Sequence, residues 1–308
     1  MSRQIDVHHH VAAPEYIADL KLRKQNANMN VFYAHTPAKS VEDMDKGGTA
    51  TSLLSVNNVW VGDDARAAKL ARTCNEYSAK LVTDHRGRFA MWGCLPLPVI
   101  DASLKEIEYS LDVLKANGIG MMTSYGSDKW LGDPVFWPVT DELNRRKAVV
   151  FVHPTAPDCC VNLVPGIPDP AIEFGTDTTR TIASLLFGGT LKRCPDIRFI
   201  FSHGGGTMPF LFQRFELLAK GRADKLPKDG LIPSLATMHY DCAISSNPYS
   251  MGPLAKLVGT GRIVFGSDYP FRLAKDHVDG LTECGFSAAD IDAIHRGNME
   301  RLLPRLKS

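Results

Sequence analysis

The sequence predicts a (β/α)8 TIM barrel with loop insertions at its C-terminal face. Three observations carry that prediction: eight short apolar runs recur along the 308 residues, stretches of helical character separate most of them, and four of the runs end in histidine or aspartate. The runs cover 4–10, 49–56, 89–95, 118–123, 148–153, 197–203, 237–243 and 262–268. Several are apolar at consecutive positions, as in Val149-Val150-Phe151-Val152 and Phe199-Ile200-Phe201. Strands covered on both faces need that pattern, as in a parallel sheet with helices outside.

The intervening segments read as helices. Over 63–82, Ala65, Ala68, Leu70, Ala71, Cys74, Tyr77 and Leu81 recur close to a 3.6-residue period. The segment 101–116 opens on Asp101 as an N-cap, aligns Ile107, Leu111 and Leu114, and is followed by Gly118. The segment 134–146 opens with Asp133-Pro134, a cap followed by an N1 proline. Further helices are expected over 177–187, 248–257 and 287–294. Two segments, 26–45 and 159–173, are rich in Pro, Asn and polar residues and read as loops. Loops that follow barrel strands build the mouth of the site, so these two are candidate lids or partner contacts. We expect one domain over 1–308. A doubly wound open sheet is the alternative, but it gives no reason for histidines to close three separate strands.

Composition narrows the function. With 35 basic and 34 acidic residues the net charge is +1, without the electrostatic footprint of a nucleic-acid or membrane-surface protein. The seven cysteines include no Cys-x-x-Cys pair, so neither a disulfide framework nor a thiolate zinc site is indicated. Free thiols and the lack of an 18-residue apolar run lead us to expect a cytoplasmic protein without a membrane span.

The chemistry gathers at strand ends. In Ile5-Asp6-Val7-His8-His9-His10, side chains alternate, so His8 and His10 share a face and His9 takes the other. His153, His203 and Asp268 close the fifth, sixth and eighth runs. Singly, each reads as an ordinary hydrogen-bonding group. Together they bring four imidazoles and one carboxylate to the mouth, where barrel enzymes place their catalytic groups. Such nitrogen and oxygen donors suit a divalent transition metal.

The segments Ile5-Asp6-Val7-His8-His9-His10, Phe151-Val152-His153-Pro154, Phe201-Ser202-His203-Gly204-Gly205-Gly206 and Phe265-Gly266-Ser267-Asp268-Tyr269-Pro270 together resemble the amidohydrolase superfamily. Within it they are similar to the branch of aminocarboxymuconate-semialdehyde decarboxylase and the hydroxybenzoate decarboxylases, nearest to the fungal methylsalicylate decarboxylases. Leu131-Gly132-Asp133-Pro134-Val135-Phe136-Trp137-Pro138 and Gly297-Asn298-Met299-Glu300-Arg301-Leu302-Leu303 extend the resemblance nearly end to end. It implies one divalent ion, Zn or alternatively Mn, held by His8, His10, His153 and Asp268, with His203 beside it. Gly120-Met121-Met122-Thr123-Ser124 lacks the bridging lysine of binuclear relatives. The resemblance also implies a homodimer in which Arg214 reaches the neighbour's substrate carboxylate; from the sequence alone Arg214 is equally a surface cation. The activity implied is non-oxidative decarboxylation of an ortho-hydroxy aromatic acid, such as 6-methylsalicylate to 3-methylphenol and CO2. Asp268 and His203 would move the proton, and Trp60, Trp130 and Phe271 would sandwich the ring. The same ligands fit a hydrolase acting on a lactone or amide, and a silent metal-binding scaffold is a third reading.

Overall fold

The computed structural model describes residues 4–22, 29–56, 59–60, 62–126 and 128–307. Eight parallel strands follow one another in sequence order around a barrel. They are β1 (Gln4–His10), β2 (Thr49–Ser55), β3 (Phe89–Cys94), β4 (Gly118–Met122), β5 (Val149–His153), β6 (Arg198–Phe201), β7 (His239–Asp241) and β8 (Ile263–Val264). Beyond β8 the chain stays close to β1 and closes the ring. Val7 N donates to Phe265 O at 3.0 Å, Asp268 N to His8 O at 2.8 Å and His10 N to Tyr269 O at 2.7 Å. The last three strands are shorter than their apolar runs. At β6 and β8 the chain leaves the ladder before its functional residue, and His203 and Asp268 themselves adopt left-handed φ of 54° and 61°.

Helices of nine residues or more among the described residues are α1 (Pro14–Leu22), α2 (Pro37–Gly47), α3 (Asp64–Asp84), α4 (Ile100–Glu108), α5 (Trp137–Arg145), α6 (Glu173–Phe187), α7 (Phe212–Lys220), α8 (Pro248–Val258) and α9 (Ala274–Thr282). Asp63 caps α3 by accepting from Arg66 N. Asp101 does not cap α4: Val99 holds the cap position without a side-chain bond, and the helix widens into a π turn over Tyr109–Val113.

The segment 26–45 is not simply a loop. Residues 26–28 lie outside the described residues, but Pro37–Gly47 forms α2, with Thr36 as N-cap and Gly48 turning left-handed at the end. Two of its three buried residues, Ser40 and Asp43, are polar, so no apolar stripe announces it. Asp43 accepts from Ala274 N at 3.2 Å and binds α2 to α9. The segment 159–173 holds only the end of one short 3-10 turn, Asp158–Cys160, and a second, Asp169–Ala171, before α6 begins.

The consecutive apolar residues serve two cores. In β5, Val149 and Phe151 join Ile5, Val7, Leu53, Ala90, Trp92, Ile200 and Val264 inside the barrel. Val150 and Val152 face outward to Ile182, Leu185 and Leu186 of α6. Each fully buried large side chain contributes about 1.5–3 kcal/mol. Trp92 is 1% exposed and satisfies its indole by donating to Val7 O at 2.9 Å. Met299 and Leu302, from the short helix Asn298–Leu302, close the N-terminal end. The barrel is therefore plugged, and the strand-end histidines lie at its C-terminal mouth, where barrel enzymes build their active sites.

Candidate metal centre and active site

The first two histidines reach the mouth by way of a bulge. Ile5 and Val7 both point into the barrel core, so strict alternation would send His9 inward. The pairing of β1 with β2 shifts register between Asp6 and His9, a β-bulge that turns His8 and His10 toward the mouth instead. Asp6 stabilises the bulge: its Oδ1 accepts from His8 N and Ser267 N, each at 3.0 Å, and its Oδ2 accepts from Ser267 Oγ at 2.7 Å. His9 faces away and pairs with Asp6 at 3.2 Å and Ser40 Oγ at 2.8 Å.

His8 Nε2 lies 3.2 Å from His10 Nε2, and Asp268 Oδ1 lies 3.0 Å from the former and 2.9 Å from the latter. His153 completes the group, with ligand atoms of all four residues within 4.8 Å of one another and all four side chains buried. His203 Nε2 stands 3.7 Å from Asp268 Oδ2, and its ring centroid is 5.1 Å from that of His8.

Each of the three ligating rings is held at Nδ1 and presents Nε2 inward. His8 Nδ1 pairs with Asp241 Oδ2 at 2.8 Å, His10 Nδ1 contacts Ser55 Oγ at 3.3 Å, and His153 Nδ1 meets Pro154 O at 2.8 Å. Metal-bound histidines have this outer support, which fixes tautomer and ring direction. Burial opposes charge on His8, yet Asp268 and Asp241 outweigh it and raise its pKa to about 10. A pocket that stabilises positive charge so strongly at its centre attracts a cation. Burial and the neighbouring imidazoles push His153 well below its ordinary value, keeping it a neutral donor. Burial works to raise Asp268, but His8 and the bonds from His10, His203 and His8 hold it well below the usual carboxylate range. Three neutralisable imidazoles and one ionised carboxylate fit a divalent ion.

The ring-binding residues expected from the sequence divide. Phe271 lies edge-on to His10 at 5.5 Å and stacks on Phe32 at 6.0 Å, so it borders the cluster. Trp130 Nε1 donates to Asp177 Oδ1 at 2.6 Å, and the residue lines a cleft with Phe187, Leu218 and Arg222. Trp60 is half-buried ahead of α3. Arg214 is exposed on α7. Phe174, at the start of α6, sits 6.1 Å from His153 and was not singled out; it falls between the expected loop 159–173 and the expected helix 177–187. Asp241 was also missed. It ends strand β7 inside the seventh apolar run, and position at a strand end was the signal that could have found it. The three glycines after His203 meet packing needs of the chain itself. All have left-handed φ of 64–76°, and a side chain on Gly205 would strike Tyr240.

The amidohydrolase family model matches residues 5–305. The chain belongs to the amidohydrolase family. It is 34% identical to a decarboxylase of Aspergillus niger, over 99% of this chain and 88% of that one. It is equally 34% identical to the 6-methylsalicylic acid decarboxylase of Aspergillus aculeatus, over 99% and 97%. The dihydroxybenzoic acid decarboxylase of Polaromonas, solved with bound manganese and 2-nitroresorcinol, superposes with a TM-score of 0.87 at 20% identity, covering 100% of this chain and 98% of that one.

Proposed function

We propose that the protein is a metal-dependent carboxy-lyase that removes CO2 from an ortho-hydroxy aromatic acid, with 6-methylsalicylate giving 3-methylphenol. The observation that carries the reading is the convergence of His8, His10, His153 and Asp268 on one buried point, with His203 alongside, in a chain whose full-length relatives are decarboxylases. A divalent ion bound there supplies Lewis-acid polarisation and a template for the substrate's oxygens. Zn is the ion proposed, with Mn the alternative; the donor set suits both.

Direct loss of CO2 would leave an aryl carbanion, so the ring carbon bearing the carboxylate is protonated first. Asp268, ionised at rest, takes up a proton relayed through His203 and passes it to that carbon; the carbon–carbon bond then breaks, its electron pair restores the aromatic ring, and CO2 leaves. His203, 3.7 Å from Asp268 Oδ2, returns a proton from solvent. The same ligands would also serve a hydrolase, so the proton route is what separates the readings. Phe271, Phe32 and Phe174 border the cluster and exclude water from the ring.

The proposed assembly is a homodimer in which Arg214 binds the neighbour's substrate carboxylate. Arg214 shares α7 with exposed Leu217 and Leu218, and Phe210 just ahead is 89% exposed. An apolar border around an exposed guanidinium favours a covered face. The compartment proposed is the cytosol, where all seven free thiols would stay reduced. No helix of the described residues is long and apolar enough to cross a membrane.

The test is CO2 release from 6-methylsalicylate with added Zn or Mn, repeated after chelation. Metal-dependent release with 3-methylphenol formed is expected. No release from this acid or from other ortho-hydroxybenzoates, with lactone hydrolysis instead, would overturn the reading. Arg214→Ala should raise KM while light scattering still reports a dimer.

A further inference from the structure

The opposite end of the barrel carries a second cluster of charge. Along β6 to β8 the inward-facing residues can be read from the core. Ile200 and Val264 point inside, whereas Phe199, Phe201, Tyr240 and Ile263 point out to the helices. Alternation then turns Arg198 and His239 inward at the N-terminal rim, and Arg262 ends the 3-10 turn that leads into β8. The register agrees: Ile200 pairs with His239 and Ile263 with Tyr240, so Arg262 stands level with His239 and Arg198 one pleat below it. Arg301 comes from Asn298–Leu302, the helix that closes this end, and donates to Asn298 Oδ1.

Three features set this cluster apart from an ordinary basic surface. The side chains of Arg198 and Arg262 have neither an ion pair nor a hydrogen bond among the described residues. His239 is only 7% exposed, yet its Nδ1 is buried with no hydrogen-bond partner. Buried polar atoms are normally satisfied, so an orphan one beside unpaired guanidiniums calls for a ligand. Finally, the charges acting on His239 are all positive: burial first, then Arg262, Arg198 and Arg301, hold its pKa down to about 4. No carboxylate of the described residues is among the charges that act on it.

We propose that Arg198, His239, Arg262 and Arg301 form a second binding site, for a phosphate-type oxyanion, at the floor of the barrel. Guanidinium forks match the paired oxygens of such an anion, and a buried imidazole supplies a further donor. The site lies beyond the apolar plug of Val149, Phe151, Ile200 and Val264, separate from the mouth and independent of the reaction carried out there.

Calorimetric titration of the metal-loaded protein with inorganic phosphate at fixed ionic strength tests this. One phosphate per chain is expected to bind, displaced by sulfate but not by acetate. Binding should survive chelation and weaken about tenfold or more in Arg198→Gln/Arg262→Gln, as loss of charge-assisted hydrogen bonds requires. CO2 release by that variant should be unchanged. If it fails to fold, Arg198→Gln alone, at an exposed position, must still weaken phosphate several-fold. Absence of saturable binding in the millimolar range, equal binding by the variant, loss of binding on chelation, or equally tight acetate would each overturn the proposal.

Discussion

The two ends of strands β6 to β8 carry opposite electrostatics on one scaffold. At the mouth, His203, Asp241 and Asp268 surround imidazoles with carboxylate, and the field draws a cation. At the floor, Arg198, His239 and Arg262 surround one imidazole with guanidinium. His239 and Asp241 are only two residues apart on β7, yet the histidine on the floor is held near pKa 4 and His8 at the mouth near 10. The apolar layer between them keeps the two fields apart. Residue type therefore does not fix a histidine's role in this barrel; the charges around it do.

The sharpest way to break this contrast is at the mouth. Asp268→Asn should retain metal and lower turnover by about 10²–10⁴-fold, the usual contribution of a positioned acid or base; metal analysis beside CO2 release checks it, and an active, metal-loaded variant would remove Asp268 from the proton route. Next in size is Asp241→Asn, which leaves His8 Nδ1 without its carboxylate. Metal affinity should fall about 10–100-fold with the fold retained, measured by competition against a chromogenic chelator.

Away from both fields, Ser40→Ala should act on stability alone. The Ser40 hydroxyl lies 2.8 Å from His9 Nε2 and 2.6 Å from His35 Nε2, and both rings would lose it. A loss of about 1–3 kcal/mol in urea unfolding is expected, with metal content unchanged. The smallest effect belongs to the floor. Its His239 titrates near 4 in the fold against an ordinary 6.5. Between those values the unfolded chain holds a proton that the folded chain lacks, so stability rises with pH across the window and is lost as pH falls through it. His239→Gln should flatten that part of the stability profile, and an unchanged slope would show that the floor charges do not reach the imidazole.

The barrel and its mouth were legible because apolar runs and strand-end histidines are local patterns. What escaped notice was written in other terms. Helix α2 buries Ser40 and Asp43, so its inward face is polar and shows no apolar period. The bulge at Val7-His8 inverts the alternation that the sequence suggests, and only pairing with β2 reveals it. Of the floor arginines, Arg198 begins a strand, Arg262 ends the turn before one and Arg301 sits on a short helix, so no shared local pattern joins them. Trp130 has the residue type of a ring clamp, and its indole is tied to a buried carboxylate, Asp177, forty-seven residues on, a pairing no local pattern announces.

Asp241 has a role at both its oxygens. Oδ2 pairs with His8 Nδ1, while Oδ1 accepts from His203 N at 2.8 Å and Ala243 N at 3.0 Å. The tautomer of a metal ligand and the backbone position of the proposed proton relay are thus set by a single carboxylate. A substitution at Asp241 therefore alters the basicity of His8 and the placement of His203 together, and neither can be tuned alone through that residue.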